Sequence, residues 1–267
     1  MISYIQIIRP LNGIMSSIAV WIGTIIAGMD FIPELKVIFG MLAVFLISSA
    51  GMVVNDIADI NIDKINRPKR PLPTGKITKN KAIIYAIILF IVGNIIAFII
   101  GESLFYIAII ASVLLILYAA KLKKIIMLGH IVISILVALT FVFGGVIAGN
   151  YFITLPLALL AFLSNVGREI YKSIEDVMGD KSVNIDTLAI RFGVLKAKII
   201  ASIFLFVAIG FSFLPYVIGI LGSIYLFFVI IADIIFLGAI ISPVRYSAKI
   251  CKIAMFIALI AFIVGVL

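Results

Sequence analysis

Cysteine, histidine and charge are what this chain has least of. Among its 267 residues it holds one Cys, one His and one Trp. Cys251 by itself excludes an internal disulfide and any thiolate metal cluster. Charged residues make up 12% of the chain, against about 25% in an ordinary soluble domain. That shortage excludes a soluble globular protein. The 65% hydrophobic content and mean hydropathy of +1.37 read as an integral membrane protein instead.

Apolar and polar residues do not alternate at period two, which argues against a β-barrel and leaves helices as the structure that satisfies its own backbone in lipid. Nine continuous apolar runs, near 12–29, 36–55, 82–100, 104–120, 128–149, 152–169, 197–214, 216–241 and 249–267, are long enough to span a bilayer. The expected fold is therefore all-α, a single domain over 1–267 in one transmembrane bundle. The first residues show no basic stretch followed by a short apolar core and a small-residue cleavage site, so no removable signal peptide is expected.

The net charge of +9 does not point to nucleic acid, because the bases are sorted by side. Arg9 and the breaks after the second, fourth, sixth and eighth runs hold every Lys and Arg except Lys36. The positive-inside rule then predicts a cell-membrane protein with a cytoplasmic N-terminus and an external C-terminus. Two of those cytoplasmic breaks also collect most of the acids. Asp56, Asp59 and Asp63 stand in one, and Glu169, Glu175, Asp176, Asp180 and Asp186 in the other.

In the first break Asn55, Asp59 and Asp63 are spaced four apart, so a continuing helix would stack their oxygens along one side. In the second, Arg168, Lys172, Asp176 and Asp180 have the same spacing and form a stripe running from basic to acidic. Side-chain oxygens without His or Cys favour a hard cation, and Mg²⁺ usually takes one or two carboxylates and fills its other positions with water and phosphate. Arg67, Lys69 and Arg70 follow the first cluster. With Arg168 and Lys172 before the second, they fit the remaining oxygens of a metal-bridged polyphosphate. A solvated cap explains one such cluster alone; two matched clusters on one side need a common ligand.

Asn55-Asp56-x-x-Asp59-x-x-x-Asp63, followed by Arg67-Pro68-Lys69-Arg70-Pro71-Leu72-Pro73-x-Gly75, resembles the first signature of the UbiA superfamily of intramembrane prenyltransferases. Asp176-x-x-Gly179-Asp180, with Asp186-Thr187-Leu188 and Gly193 after it, resembles the second, and Tyr118-x-x-x-Leu122-Lys123 a third feature. Arg9-Pro10-Leu11-Asn12 and Gly167-Arg168-Glu169-x-x-Lys172 look most like the archaeal branch that prenylates a glycerol phosphate ether. Ser173 and Met178 stand where relatives often carry acids, so Asp176 and Asp180 rank above Glu169 and Glu175 as ligands.

The resemblance implies Mg²⁺ held by Asn55, Asp56, Asp59, Asp63, Asp176 and Asp180, directly or through water. Arg67, Arg70, Lys123, Arg168 and Lys172 would hold the diphosphate of a prenyl donor, and Tyr118 would steady the allylic cation. The implied acceptor is a lipid phosphate, with Arg9, Asn12 and Lys121 as candidates for its phosphate. An aromatic acceptor is the alternative within the family. A transporter would gather its charges near the midplane rather than at the helix ends, and a CDP-alcohol phosphotransferase would carry an Asp-Gly-x-x-Ala-Arg signature that this sequence lacks. Asp233, alone inside the eighth run, is a functional candidate or a buried pair. His130 reads as interfacial, and Gly144, Gly145, Ala148 and Gly149 as a close helix contact.

Overall fold

The computed structural model describes residues 2–177 and 187–267. Asp180 and Asp186 lie outside them, as do Met178 and Gly179. Every regular element among the described residues is a helix. In chain order these are α1 (Ile2–Ile7), α2 (Pro10–Ile26), α3 (Leu35–Ala58), α4 (Ile60–Asn66), α5 (Lys79–Ile100), α6 (Glu102–Ala120), α7 (Leu128–Ile147), α8 (Leu155–Glu175), α9 (Leu188–Phe192), α10 (Val194–Phe211), α11 (Leu214–Val217), α12 (Ser223–Ile241) and α13 (Val244–Val266), with two single 3₁₀ turns at Leu122–Lys124 and Phe152–Thr154.

Among the described residues, eight helices are long and apolar enough to cross a membrane by length and composition. The first expected span, α2, forms a helix of 17 residues, shorter than the rest. Pro10 opens it at a position where a missing N–H costs nothing. Thr78 opens α5 by accepting the Lys81 amide on its hydroxyl at 3.4 Å. The 216–241 run divides into α11 and α12, because the chain turns through Gly219 at φ 75°. The 152–169 run continues as helix to Glu175, which puts Arg168, Glu169 and Lys172 on a rigid element rather than in a loop.

The helices close on themselves. α2 packs on α3 and α7, α8 packs on α7, α10 and α13, α12 pairs with α13, and α13 returns to α2; α5 and α6 lie against α3. The α2 and α7 backbones come unusually near: a Cβ on Gly144 would lie 2.1 Å from the Val20 carbonyl oxygen, and one on Gly23 would lie 2.3 Å from that of Phe141. Gly144 thus has the packing role its spacing predicts. Outward, α5 presents Ile84, Ile88, Ile91 and Ile95, all exposed. A stripe of that kind is stable only against an apolar solvent.

Candidate functional site

The helix carrying the first acidic cluster does not run straight through it. α3 stops at Ala58, Asp59 takes φ −97° and ψ 11°, and α4 starts at Ile60. Backbone bonds from Asp59 to Asn55 at 3.0 Å and from Asp63 to Asp59 at 2.8 Å keep the four-residue register across this break. Asp56 and Asp63 are buried on the inner side, and Asn55 and Asp59 meet directly, the Asn55 amide donating to Asp59 Oδ2 at 2.9 Å.

Each described acid of the two expected metal clusters is held by a cation of the chain. Asp56 pairs with Arg9, and with Arg70 at 3.2 Å. Asp63 takes Arg70 at 2.6 Å, and Asp59 takes Lys123 at 2.5 Å from the turn after α6. Asp176, at the C-terminal end of α8, accepts from Arg67 at 2.8 Å, and its backbone carbonyl accepts from Asn66 at 3.0 Å. Asp176 is thus tied to the segment that follows the first cluster, across α4 and α8. Burial pushes the Asp63 carboxyl above the ordinary aspartate range, against the hydrogen bonds and charge of Arg70. At Arg67 burial works against the charge, but the bond and charge of Asp176 outweigh it and hold this guanidinium above its usual value.

Arg9 sits immediately before α2 with left-handed backbone, φ 48° and ψ 66°. For a residue with a Cβ that costs about 1–2 kcal/mol, which the ion pair to buried Asp56 offsets. Burial depresses the Arg9 guanidinium and the Asp56 charge works the other way.

The arginines that pair with these acids border the charged end of a cavity of about 450 Å³. Arg9, Asn12, Asn55, Arg67, Arg70 and Tyr118 line it, as do Arg168, Glu169 and Lys172 from α8. The charged groups acting on Tyr118 include Glu169, Asp59, Arg9 and Arg168. At the other extreme the cavity meets Phe141, Tyr225 and Phe262. Phe262 stacks on Tyr225 at 5.9 Å and stands edge-on to Phe141 at 5.9 Å. Tyr225 donates to the Ser212 carbonyl at 2.5 Å, and the Ser212 hydroxyl donates to Asp233 Oδ2 at 2.8 Å. The intramembrane acid flagged by sequence is thus a partnered group bracing the aromatic floor.

Among the described residues no three of Asp, Glu, His and Cys converge as a ready-made metal cage; Asp56, Asp59, Asp63 and Asp176 each pair with a base. Of the stripe from Arg168 to Asp180, Asp180 lies outside the described residues, while Arg168 and Lys172 both bind buried Glu169, the latter at 3.3 Å, which gives Glu169 a central place among these groups. Lys121 is exposed at the end of α6 and does not line the cavity. Lys252 was missed; its Nζ donates to Asn12 Oδ1 at 2.5 Å. Its position in a basic, otherwise apolar helix start was the only available signal.

Mg²⁺ suits the donors present. They are all oxygens, and among the described residues buried Asn55 Oδ1 has no hydrogen-bond partner although it lies beside Asp59 and on the cavity wall. Arg168 Nε is likewise buried and without a partner among the described residues. Acceptor and donor are both left open, as a cation and an anion bound together require.

The match to known proteins extends over nearly the whole chain. A relative from Pyrococcus horikoshii named digeranylgeranylglyceryl phosphate synthase is 41% identical over 271 residues, covering 99% of this chain and 97% of its own. A solved structure of digeranylgeranylglyceryl phosphate synthase aligns with a TM-score of 0.77 at 39% identity, over 99% of this chain and 97% of the other. A UbiA homologue from Archaeoglobus fulgidus bound to GPP and Mg²⁺ shares the fold, with a TM-score of 0.75 at 16% identity over 98% and 99% of the two chains. The family model described as UbiA prenyltransferase matches residues 16–263. With the paired acidic clusters at the mouth of a helix-lined cavity, this places the chain in the UbiA prenyltransferase family, as a multi-pass membrane enzyme.

Proposed function

We propose that this protein transfers a geranylgeranyl group from geranylgeranyl diphosphate to the free hydroxyl of geranylgeranylglyceryl phosphate, forming a second ether bond. The observation that carries the reading is the clasp of acids and bases at one end of an apolar cavity. Relatives about 40% identical that bear the synthase name support it. The sorting of Lys and Arg supports a site at the cytoplasmic face, with the N-terminus inside and the C-terminus outside.

Asn55, Asp56, Asp59, Asp63 and Asp176, together with Asp180, would hold Mg²⁺, which would supply Lewis-acid neutralisation of a departing diphosphate. Arg67, Arg70 and Lys123 are close enough to those acids to exchange a carboxylate for a diphosphate oxygen, which gives the leaving group a preformed cationic cradle. The apolar cavity keeps water from the allylic centre. Tyr118, which lines the cavity beside the charged groups, would steady the allylic cation, and Asp56 or Asp59 would accept the proton of the attacking hydroxyl. Ionisation breaks the bond from C1 to the diphosphate, and the acceptor oxygen closes the new ether at C1.

An acceptor panel tests this. Membranes containing the protein, supplied with geranylgeranyl diphosphate and Mg²⁺, should prenylate geranylgeranylglyceryl phosphate and release diphosphate. Preferred prenylation of an aromatic acid would overturn the acceptor.

A further inference from the structure

We propose that Lys252, with Arg168 and Asn12, forms an anion subsite distinct from the acid-bearing clamp, and that it takes the phosphomonoester of the acceptor. This rests on the reading that the acceptor is a lipid phosphate. Each cation facing the first acidic cluster has a carboxylate partner: Arg9, Arg70 and Lys123 are all paired. Lys252 differs, because among the described residues its partner is a neutral one, Asn12 Oδ1 at 2.5 Å. An ammonium has three protons to donate, so this leaves two for a ligand.

Among the described residues no carboxylate is paired with Lys252, and the charges that act on it are Arg168, Arg9 and Lys172, all positive. The acids that line this cavity near the same helix ends, Glu169 and Glu175, do not relieve it. Glu169 is engaged by Arg168 and Lys172, and Glu175 is exposed at the end of α8. Lys249, one turn before Lys252 on α13, lines the same cavity. Cations gathered along one cavity repel one another unless an anion joins them. Arg168 adds a directional donor, its buried Nε having no partner among the described residues.

Position separates this subsite from the diphosphate clamp while keeping the two adjacent. Arg9 and Asn12, one turn apart at the start of α2, both approach Met52 Sδ, at 3.6 and 3.9 Å. Arg9 then turns to Asp56 in the clamp, and Asn12 to Lys252. A diphosphate bridged by metal needs carboxylates; the Lys252 corner offers amines and a guanidinium, which bind a metal-free phosphate directly. A short glycerol unit whose phosphate is held there would bring its hydroxyl beside the clamp.

The test uses the full-length protein with saturating geranylgeranyl diphosphate and two acceptors, geranylgeranylglyceryl phosphate and its dephosphorylated alcohol. Lys252→Gln should raise KM for the phosphorylated acceptor roughly tenfold or more, the scale of one charge-assisted hydrogen bond, and leave KM for the prenyl diphosphate within about twofold. It should also shrink the wild-type preference for the phosphorylated acceptor, and Lys252→Arg should restore part of that preference. An equal rise in KM for the diphosphate would put Lys252 in the clamp and overturn the proposal, as would an undiminished preference in Lys252→Gln. Wild-type protein that favours the alcohol or an aromatic acceptor would overturn the acceptor reading itself. That result is visible before any variant is made.

Discussion

Arg67 donates to Asp176 at 2.8 Å across a sequence separation of 109 residues, and that bond ties the loop after α4 to the end of α8. The contact joins the two acidic motifs, with half-buried side chains on both partners. Arg67→Ala should lower kcat/KM for the prenyl diphosphate about 10²-fold, the range seen when one preorganised donor to developing charge is removed. Because Asp176 then loses its partner, adding Asp176→Ala should cost less than in the wild-type background. A double-mutant cycle on turnover checks this, and simple additivity would show that the two do not act as a unit.

Much of this site is legible in the sequence, and the limits are instructive. Asn55, Asp59 and Asp63 could be grouped because four-residue spacing has a geometric meaning on a helix, and the backbone bonds across Asp59 preserve it. Which cation faces which acid could not be read. Lys123 meets Asp59 from 64 residues away, and Lys252 meets Asn12 from 240. Such pairings are set by which helices neighbour each other, and apolar runs of similar length carry little record of their neighbours. Glu169 differs: it ranks below Asp176 and Asp180 by resemblance, although its partners Arg168 and Lys172 lie on its own helix, within three residues.

Oxygen donors alone set the expected metal response. Chelation should abolish turnover, and Mg²⁺ should restore it more effectively than Zn²⁺, because neither Cys251 nor His130 lines the cavity. Asp59→Asn should stay inactive at any Mg²⁺ concentration, since it removes an anionic ligand and leaves Lys123 unpaired. Titration of activity against each metal decides it; restoration by Zn²⁺ in preference would contradict the oxygen-only assignment.

The aromatic floor should limit the length of the donor chain. Phe262 lies against both Tyr225 and Phe141 at the far end of the cavity, so truncation there lengthens the space available to an isoprenoid. Phe262→Leu should raise turnover of a C25 relative to a C20 diphosphate several-fold, without altering acceptor preference. Phe262→Ala should extend this further at a stability cost of about 3–5 kcal/mol, which makes the leucine variant the cleaner readout. Competition between the two donors in one reaction measures the ratio directly; an unchanged ratio would move the end of the prenyl chain elsewhere.

Helix packing provides a prediction independent of catalysis. Gly144 faces Val20 and Gly23 across the α2 and α7 contact, where an added Cβ would fall 2.1 Å from a carbonyl oxygen and 3.0 Å from the Gly23 Cα. Both neighbours are backbone, so the clash cannot be relieved by turning a side chain. The helices must separate, which loosens the wall between the charged mouth and the aromatic floor. Gly144→Val should therefore destabilise the protein by about 1–3 kcal/mol and lower its melting temperature in detergent. Gly210→Ala, where an added Cβ would meet nothing within 4 Å, should leave that temperature almost unchanged. Equal melting of the two variants would mean that the α2 and α7 helices are not held at this distance in the membrane protein.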